Sequence, residues 1–123
     1  MSEGLYCRHY QRALELIGSR WTGAVIRVLY GGVHRFAELK AEIPRISDRM
    51  LSERLRELER EGIVTRIVIP ETPVQIEYHL TEKGRSLEPV MRAVIEWTMQ
   101  WAPEGAVKAG PPAGAAREGP RKG

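Results

Sequence analysis

Four residues in one short segment have the types and spacing to recognise a nucleic acid: Arg49, Ser52, Glu53 and Arg56. On a helix, Arg49, Ser52 and Arg56 fall about one turn apart along one face. An arginine there can donate two hydrogen bonds to a guanine edge in a major groove, and it can also reach phosphates. Glu53 can accept from a cytosine amino group, or it can simply brace Arg49 four residues before it. The same face also suits plain solvation, knitted by such i,i+4 pairs. The neighbouring elements have to decide between the two readings.

Other chemistry is sparse. Cys7 is the single cysteine, which excludes an internal disulfide and a cysteine-built zinc site. Its neighbours Arg8 and His9 give it a basic setting that suits a reactive thiol if the sulfur is accessible, whereas a buried one packs as a small hydrophobe. His9, His34 and His79 share no ligand spacing, so no metal site is expected. No paired acid and base and no phosphate loop argue for an enzyme or a cofactor.

The element that must hold the arginines is a helix over about Ser47–Glu61. Ser47 is a good N-cap, Asp48 suits the positive helix start, and Gly62 is a left-handed terminator. Leu51, Leu55 and Leu58 recur at i, i+4, i+7, and Ile46 and Met50 complete an apolar back. Before it come an amphipathic segment over about Tyr10–Ile17, broken by Gly18, and a helix from Arg20 to about Tyr30, with Ser19 as its expected cap. Trp21, Val25, Val28 and Leu29 are its expected inward residues. Gly31-Gly32 ends that helix, and a short helix follows over Phe36–Glu42. Ile43-Pro44-Arg45 is a tight link, because proline pushes the residue before it out of helix.

After Gly62 the period changes. Ile63–Ile69 and Val74–Leu80 read as two strands joined by the Pro70–Pro73 turn. A capped helix followed at once by a hairpin is the order of a winged helix-turn-helix, mainly α with a small β-hairpin wing. Thr81 caps a last helical region, with a kink or break expected near Pro89. Val94, Ile95, Trp97, Thr98 and Trp101 cover more than one side of it, which suggests a second packing partner. Residues 1–6 read as a loose lead-in, 7–102 as the folded domain, and 103–123 as a disordered Gly/Pro/Ala-rich tail.

The bulk numbers agree without deciding. The chain has 123 residues, a formal charge of +3 and a pI near 9.3, which permits nucleic-acid binding but does not argue it. No apolar stretch approaches the roughly 18 residues of a membrane span, so a cytoplasmic protein without membrane contact is expected.

At this point the residues resemble a known family, the HxlR-type regulators, a MarR-like group of small bacterial and archaeal winged-helix transcription factors. The matching pieces are Cys7 with the Ala13–Trp21 run, Arg35–Leu39, Ile43–Leu55 and Leu58–Val64, then Pro70–Val74 and Glu77–Gly84. The resemblance implies a homodimer joined through its first and last helices, with Leu14, Val94, Trp97 and Trp101 as candidate contacts. It implies binding to a palindromic operator on double-stranded DNA, often as a repressor. With it, the DNA-contacting set becomes Arg45, Ser47, Arg49, Ser52, Glu53 and Arg56 at the helix, and Arg66, Thr72 and Gln75 on the wing; Lys40 and Arg35 are secondary candidates. Some members use a cysteine at the place of Cys7 to sense oxidants or electrophiles, which makes Cys7 a possible redox sensor and an oxidant or small molecule a possible inducer. Three positions depart from the usual pattern. Arg8 stands where many members have proline, Gln75 where many have arginine, and Ile69 where many have an aromatic. A winged-helix adaptor that binds an acidic protein partner, and never DNA, is the alternative reading.

Overall fold

A computed structural model of the chain describes residues 7–102. The element order is α1 (Arg8–Gly18), α2 (Thr22–Tyr30), α3 (Phe36–Glu42), α4 (Asp48–Arg60), β1 (Val64–Ile69), β2 (Gln75–Leu80), α5 (Glu82–Arg85) and α6 (Glu88–Trp101). This is a mainly helical fold with one antiparallel hairpin, a winged helix-turn-helix as expected. The lead-in and tail expected for 1–6 and 103–123 lie outside the described residues.

The core gathers on α2 and α4. Val25, Ile26, Val28 and Leu29 from α2 meet Leu39 from α3, Leu51, Leu55 and Leu58 from α4, and Ile63, Val64 and Leu80 at the wing base. Trp21 is only partly buried and packs against this cluster from outside. The caps of α4 are those its residue types favour. Ser47 Oγ accepts from the Met50 N–H at 3.0 Å. At the other end Gly62 takes φ +77° and donates to Glu59, while the Ile63 N–H donates to Leu58. This pair of bonds closes the helix and turns the chain directly into β1. Strand pairing runs from Val64↔Leu80 to Ile69↔Gln75.

Two boundaries differ from expectation. Helix α1 begins at Arg8, because Cys7 itself is the N-cap and its Sγ accepts from the Tyr10 N–H at 3.3 Å. Ser19 does not cap α2. Its N–H closes α1 on Leu16, and its hydroxyl donates to the Glu15 carbonyl at 2.9 Å. Helix α2 starts only at Thr22, after Trp21 has taken a left-handed φ of 76°. The expected break near Pro89 is present, with Ser86 and Leu87 between α5 and α6 and Pro89 in the first turn of α6, where a missing N–H costs nothing.

Tyr30 fastens α2 to α5. Its hydroxyl donates to the Gly84 carbonyl at 2.7 Å and the Arg85 carbonyl at 3.0 Å. Burial, helped by the Glu88 carboxylate and opposed by Arg85, pushes the phenol up from its ordinary 10.0 to about 12. A raised value means that the stabilisation is complete below pH 10 and is lost as pH climbs through about 12. Tyr30→Phe is therefore expected to cost about 0.5–1.5 kcal/mol at neutral pH for the lost hydrogen bond. In chemical melts across the alkaline range, the gap between variant and parent should close as pH passes 12. A gap that stays constant would show that the hydroxyl is not held in this way.

Candidate nucleic-acid interface

The front of α4 is open. The Arg49 side chain is 89% exposed, Arg56 and Arg60 are exposed, and Ser52 and Glu53 are half-buried along the flank. Arg49 Nε lies 3.2 Å from Glu53 Oε2, so Glu53 does brace Arg49 in the free protein. Among the described residues, no hydrogen bond or ion pair engages the side chains of Arg45, Arg56 or Arg66. Their guanidinium groups are free to donate outward. Arg54 differs: its side chain is 18% exposed and held at 2.7 Å by Glu57. It belongs to the scaffold, and Glu57 with it.

The turn that sets α4 against α3 runs through Arg45, which takes φ +72°. This left-handed conformation is uncommon without glycine, and here it leaves the Arg45 side chain exposed at the α4 entrance. Lys40 Nζ reaches Asp48 Oδ1 at 3.4 Å, tying α3 to the first turn of α4. Both secondary candidates are thus paired with carboxylates, Lys40 with Asp48 and Arg35 with Glu77 at 3.5 Å.

Arg66, Thr72 and Gln75 stand on the wing. Arg66 pairs with Tyr78 across the ladder, and Gln75 pairs with Ile69. Alternation along a strand puts these two pairs on opposite faces, so Arg66 and Gln75 project from opposite sides of the hairpin. Thr72 is exposed at the tip between them.

The proposed contact residues of the end helices are exposed. Neither α1 nor α6 has a buried residue. Leu14 is 52% exposed, Val94 50%, Trp97 64% and Trp101 69%. Val90, Val94, Trp97 and Trp101 run at i, i+4, i+7, i+11 down one side of α6, and Tyr10 sits one turn before Leu14 on α1. Tyr10 extends the exposed apolar side of α1 and Val90 that of α6, and the same periodicity finds both in the sequence. An open cleft of about 370 Å³ lies between α1 and the end of α4, floored by Leu16, Ile63 and Leu87. Arg12 bridges its mouth to Glu61 at 2.9 Å. Cys7 is half-buried at the start of α1. Among the described residues no group of three or more His, Cys, Asp or Glu could hold a metal, and no helix is long and apolar enough to cross a membrane.

Known proteins place this arrangement. The family described as HxlR-like helix-turn-helix matches residues 16–106. The uncharacterised HTH-type transcriptional regulator YvaP of Bacillus subtilis is 44% identical over 101 residues, covering 82% of this chain and 94% of its own. The reduced form of the transcriptional regulator YodB, also from B. subtilis, is 46% identical, with a TM-score of 0.75 over 82% of this chain and 99% of that one; YodB is also solved after diamide treatment. The redox regulator HypR in its reduced form is 41% identical, with a TM-score of 0.69 over 73% of this chain and 89% of that one. With a helix-turn-helix, a wing and this likeness along most of its length, the chain belongs to the HxlR-like helix-turn-helix family of transcriptional regulators.

Proposed function

We propose that this protein is a sequence-specific DNA-binding repressor that works in the cytoplasm as a homodimer on a palindromic operator. The observation that carries the reading is the outward face of α4, where Arg49 and Arg56 are exposed above a fully buried Leu51–Leu55–Leu58 back. A helix anchored in this way can enter a major groove without disturbing its own packing. Arg45 and Ser47 at the α4 entrance would meet phosphates, Ser52 and Glu53 the groove wall, and Arg66, Thr72 and Gln75 the flanking backbone. A gel-shift series in rising salt tests it. A specific complex should weaken steeply with salt yet still outlast a scrambled duplex. Binding that is blind to sequence, or pull-down of a protein that survives nuclease, would favour the adaptor reading instead.

The exposed stripe on α6, with Tyr10 and Leu14 on α1, supports a two-fold contact between copies, which would set two α4 helices for two half-sites. Interface tryptophans commonly carry about 2 kcal/mol or more each. Replacing Trp97 and Trp101 with aspartate is expected to halve the mass seen by light scattering and to abolish operator binding at the same protein concentration. An unchanged mass would remove this surface from the dimer.

Cys7 supports a redox-responsive regulator. It is half-buried at the start of one interface helix, and both YodB and HypR have been solved in reduced form. With one cysteine per chain, the covalent change is addition of the Cys7 thiolate to an electrophile, or a disulfide between the Cys7 thiols of two copies whose two electrons and two protons pass to an added oxidant. The cleft under α1 is the place where a small-molecule inducer would act on the same helix.

A further inference from the structure

The wing touches the helices at more than its base. The segment before α3 runs beside β2: Arg35 bridges Glu77 in antiparallel fashion, and the Tyr78 N–H donates to the His34 carbonyl at 2.8 Å. Four side chains meet along this line. The rings of His34 and His79 stack with centroids 4.0 Å apart and planes at 29°. Glu77 Oε1 lies 2.8 Å from His79 Nε2, and Glu77 Oε2 lies 3.5 Å from Arg35 Nη2. His34 Nδ1 is buried with no hydrogen-bond partner.

The charges of this cluster balance at only one level of protonation. With neutral rings, Arg35 and Glu77 cancel. Positive charge on the His79 ring is well placed, because its Nε2 faces the Glu77 carboxylate; the hydrogen bond from His79, ahead of the charges of His79 and Arg35, holds that carboxyl below its usual range. A second proton on His34 has no such place. At Nδ1 it would point into a buried site without an acceptor, and the ring would carry like charge against stacked His79 and adjacent Arg35. Opposite His79 and Glu77, β1 offers only Thr65 and Ile67. The other charged or titratable groups on the helices packed against β2 are Arg27 and Tyr30 of α2, Glu38, Lys40 and Glu42 of α3, and Glu82, Lys83 and Arg85 of α5, of which Lys83 donates to the Glu61 carbonyl and Arg85 to the Leu80 carbonyl. Of these, Tyr30 is engaged by α5 carbonyls and Lys40 by Asp48. Histidine is the side chain suited to a charge switch, and a charged His34 ring would find no acceptor at Nδ1 in this stack.

We propose that His34, His79, Glu77 and Arg35 form the joint that positions the wing against the helix-turn-helix, and that protonation of His34 opens it. The consequence for DNA rests on the reading above: a released wing weakens the hold on the duplex as pH falls. Simple charge counting gives the opposite sign, because protonated histidines add positive charge and would tighten binding to phosphate. The direction of the pH effect therefore separates a positioning joint from a mere basic surface.

The test uses the whole protein at constant ionic strength, between pH 7.5 and 5.5. Its probes are a fluorescent duplex enriched from random DNA and the exchange protection of the Tyr78 amide measured without DNA. A single linked proton gives a change of up to about tenfold per pH unit. The expected result is weaker binding and lower Tyr78 protection at acid pH, with Leu55 protection unchanged. His34→Phe, which keeps a stacking ring and cannot take the proton, should show neither change; His34→Gln replaces it if it does not fold. Constant or tighter binding with Tyr78 protection retained overturns the joint, as does an equal acid loss in the variant. If the protein binds no duplex at either pH, the DNA reading fails. Tyr78 protection then decides alone, its loss in the parent but not the variant supporting the joint and any other pattern overturning it.

Discussion

Alanine at both Arg49 and Arg56 is expected to remove most of the affinity for a specific duplex and almost none of the stability. An arginine that reads a guanine edge contributes about 1–3 kcal/mol of discrimination, so the pair together should cost about 2–6 kcal/mol. The folded chain hardly needs either. Arg49 is 89% exposed and its one partner is Glu53, a surface pair of the kind worth at most about 1 kcal/mol. Arg56 has no ion pair among the described residues, so its removal leaves no buried charge behind. Titration of a labelled duplex beside a thermal melt of each variant measures both quantities. Arg45→Ala and Arg66→Ala serve as comparisons, because a lost phosphate contact weakens all sequences alike and lowers the salt slope by about 1. Equal losses on specific and scrambled duplexes for Arg49 and Arg56 would demote them to phosphate contacts as well.

The second large effect lies at Gly84 and concerns stability. A Cβ at that position would stand 2.3 Å from the Ile63 carbonyl oxygen, 3.0 Å from Leu80 Cδ2 and 3.1 Å from Ile63 Cγ2. The nearest atom is backbone, so no side chain can swing aside to make room. Helix α5 cannot retreat freely either. The Gly84 N–H donates to Thr81 Oγ1 at 3.0 Å, and the Gly84 carbonyl accepts from Tyr30. Overpacking of this kind costs about 1–3 kcal/mol, and each disrupted hydrogen bond adds about 0.5–1.5 kcal/mol. Against a total of about 5–15 kcal/mol for an ordinary domain, Gly84→Ala is expected to lower the urea midpoint sharply with an unchanged slope. Gly18→Ala is the control: nothing stands within 4 Å of a Cβ there, and the residue is exposed. Equal midpoints for the two variants would refute the close approach.

Much of the frame could be read from residue order. The Ser47 cap, the Gly62 stop and the leucine period of α4 are local signals, and each acts within one or two turns. The change of period at Ile63 and the proline-bounded turn located the wing for the same reason. The misreadings have a different origin. Trp21 and Arg45 adopt left-handed backbone although neither is glycine, so their residue types do not announce the turns they make. That hidden turn at Trp21 is why Ser19 ends one helix without starting the next. Gly84 is a point of close contact with Ile63, twenty-one residues away along the chain, which no local signal announces. His34 and His79 share no spacing at all, and only the pairing of β2 with the segment before α3 brings their rings together. The candidate DNA contacts on α4 were legible because one helix carries them. Those on the wing were less so, since strand register decides that Arg66 and Gln75 leave from opposite faces.

The central claim is that two copies of α4, related by symmetry, read two halves of one duplex. Selection of bound sites from a random DNA pool by the full-length protein tests it most directly. The account predicts an enriched inverted repeat whose half-site centres lie about 10 base pairs, or a whole multiple of one helical turn, apart. A pool that enriches nothing, or one that yields a single unsymmetrical site, would contradict it.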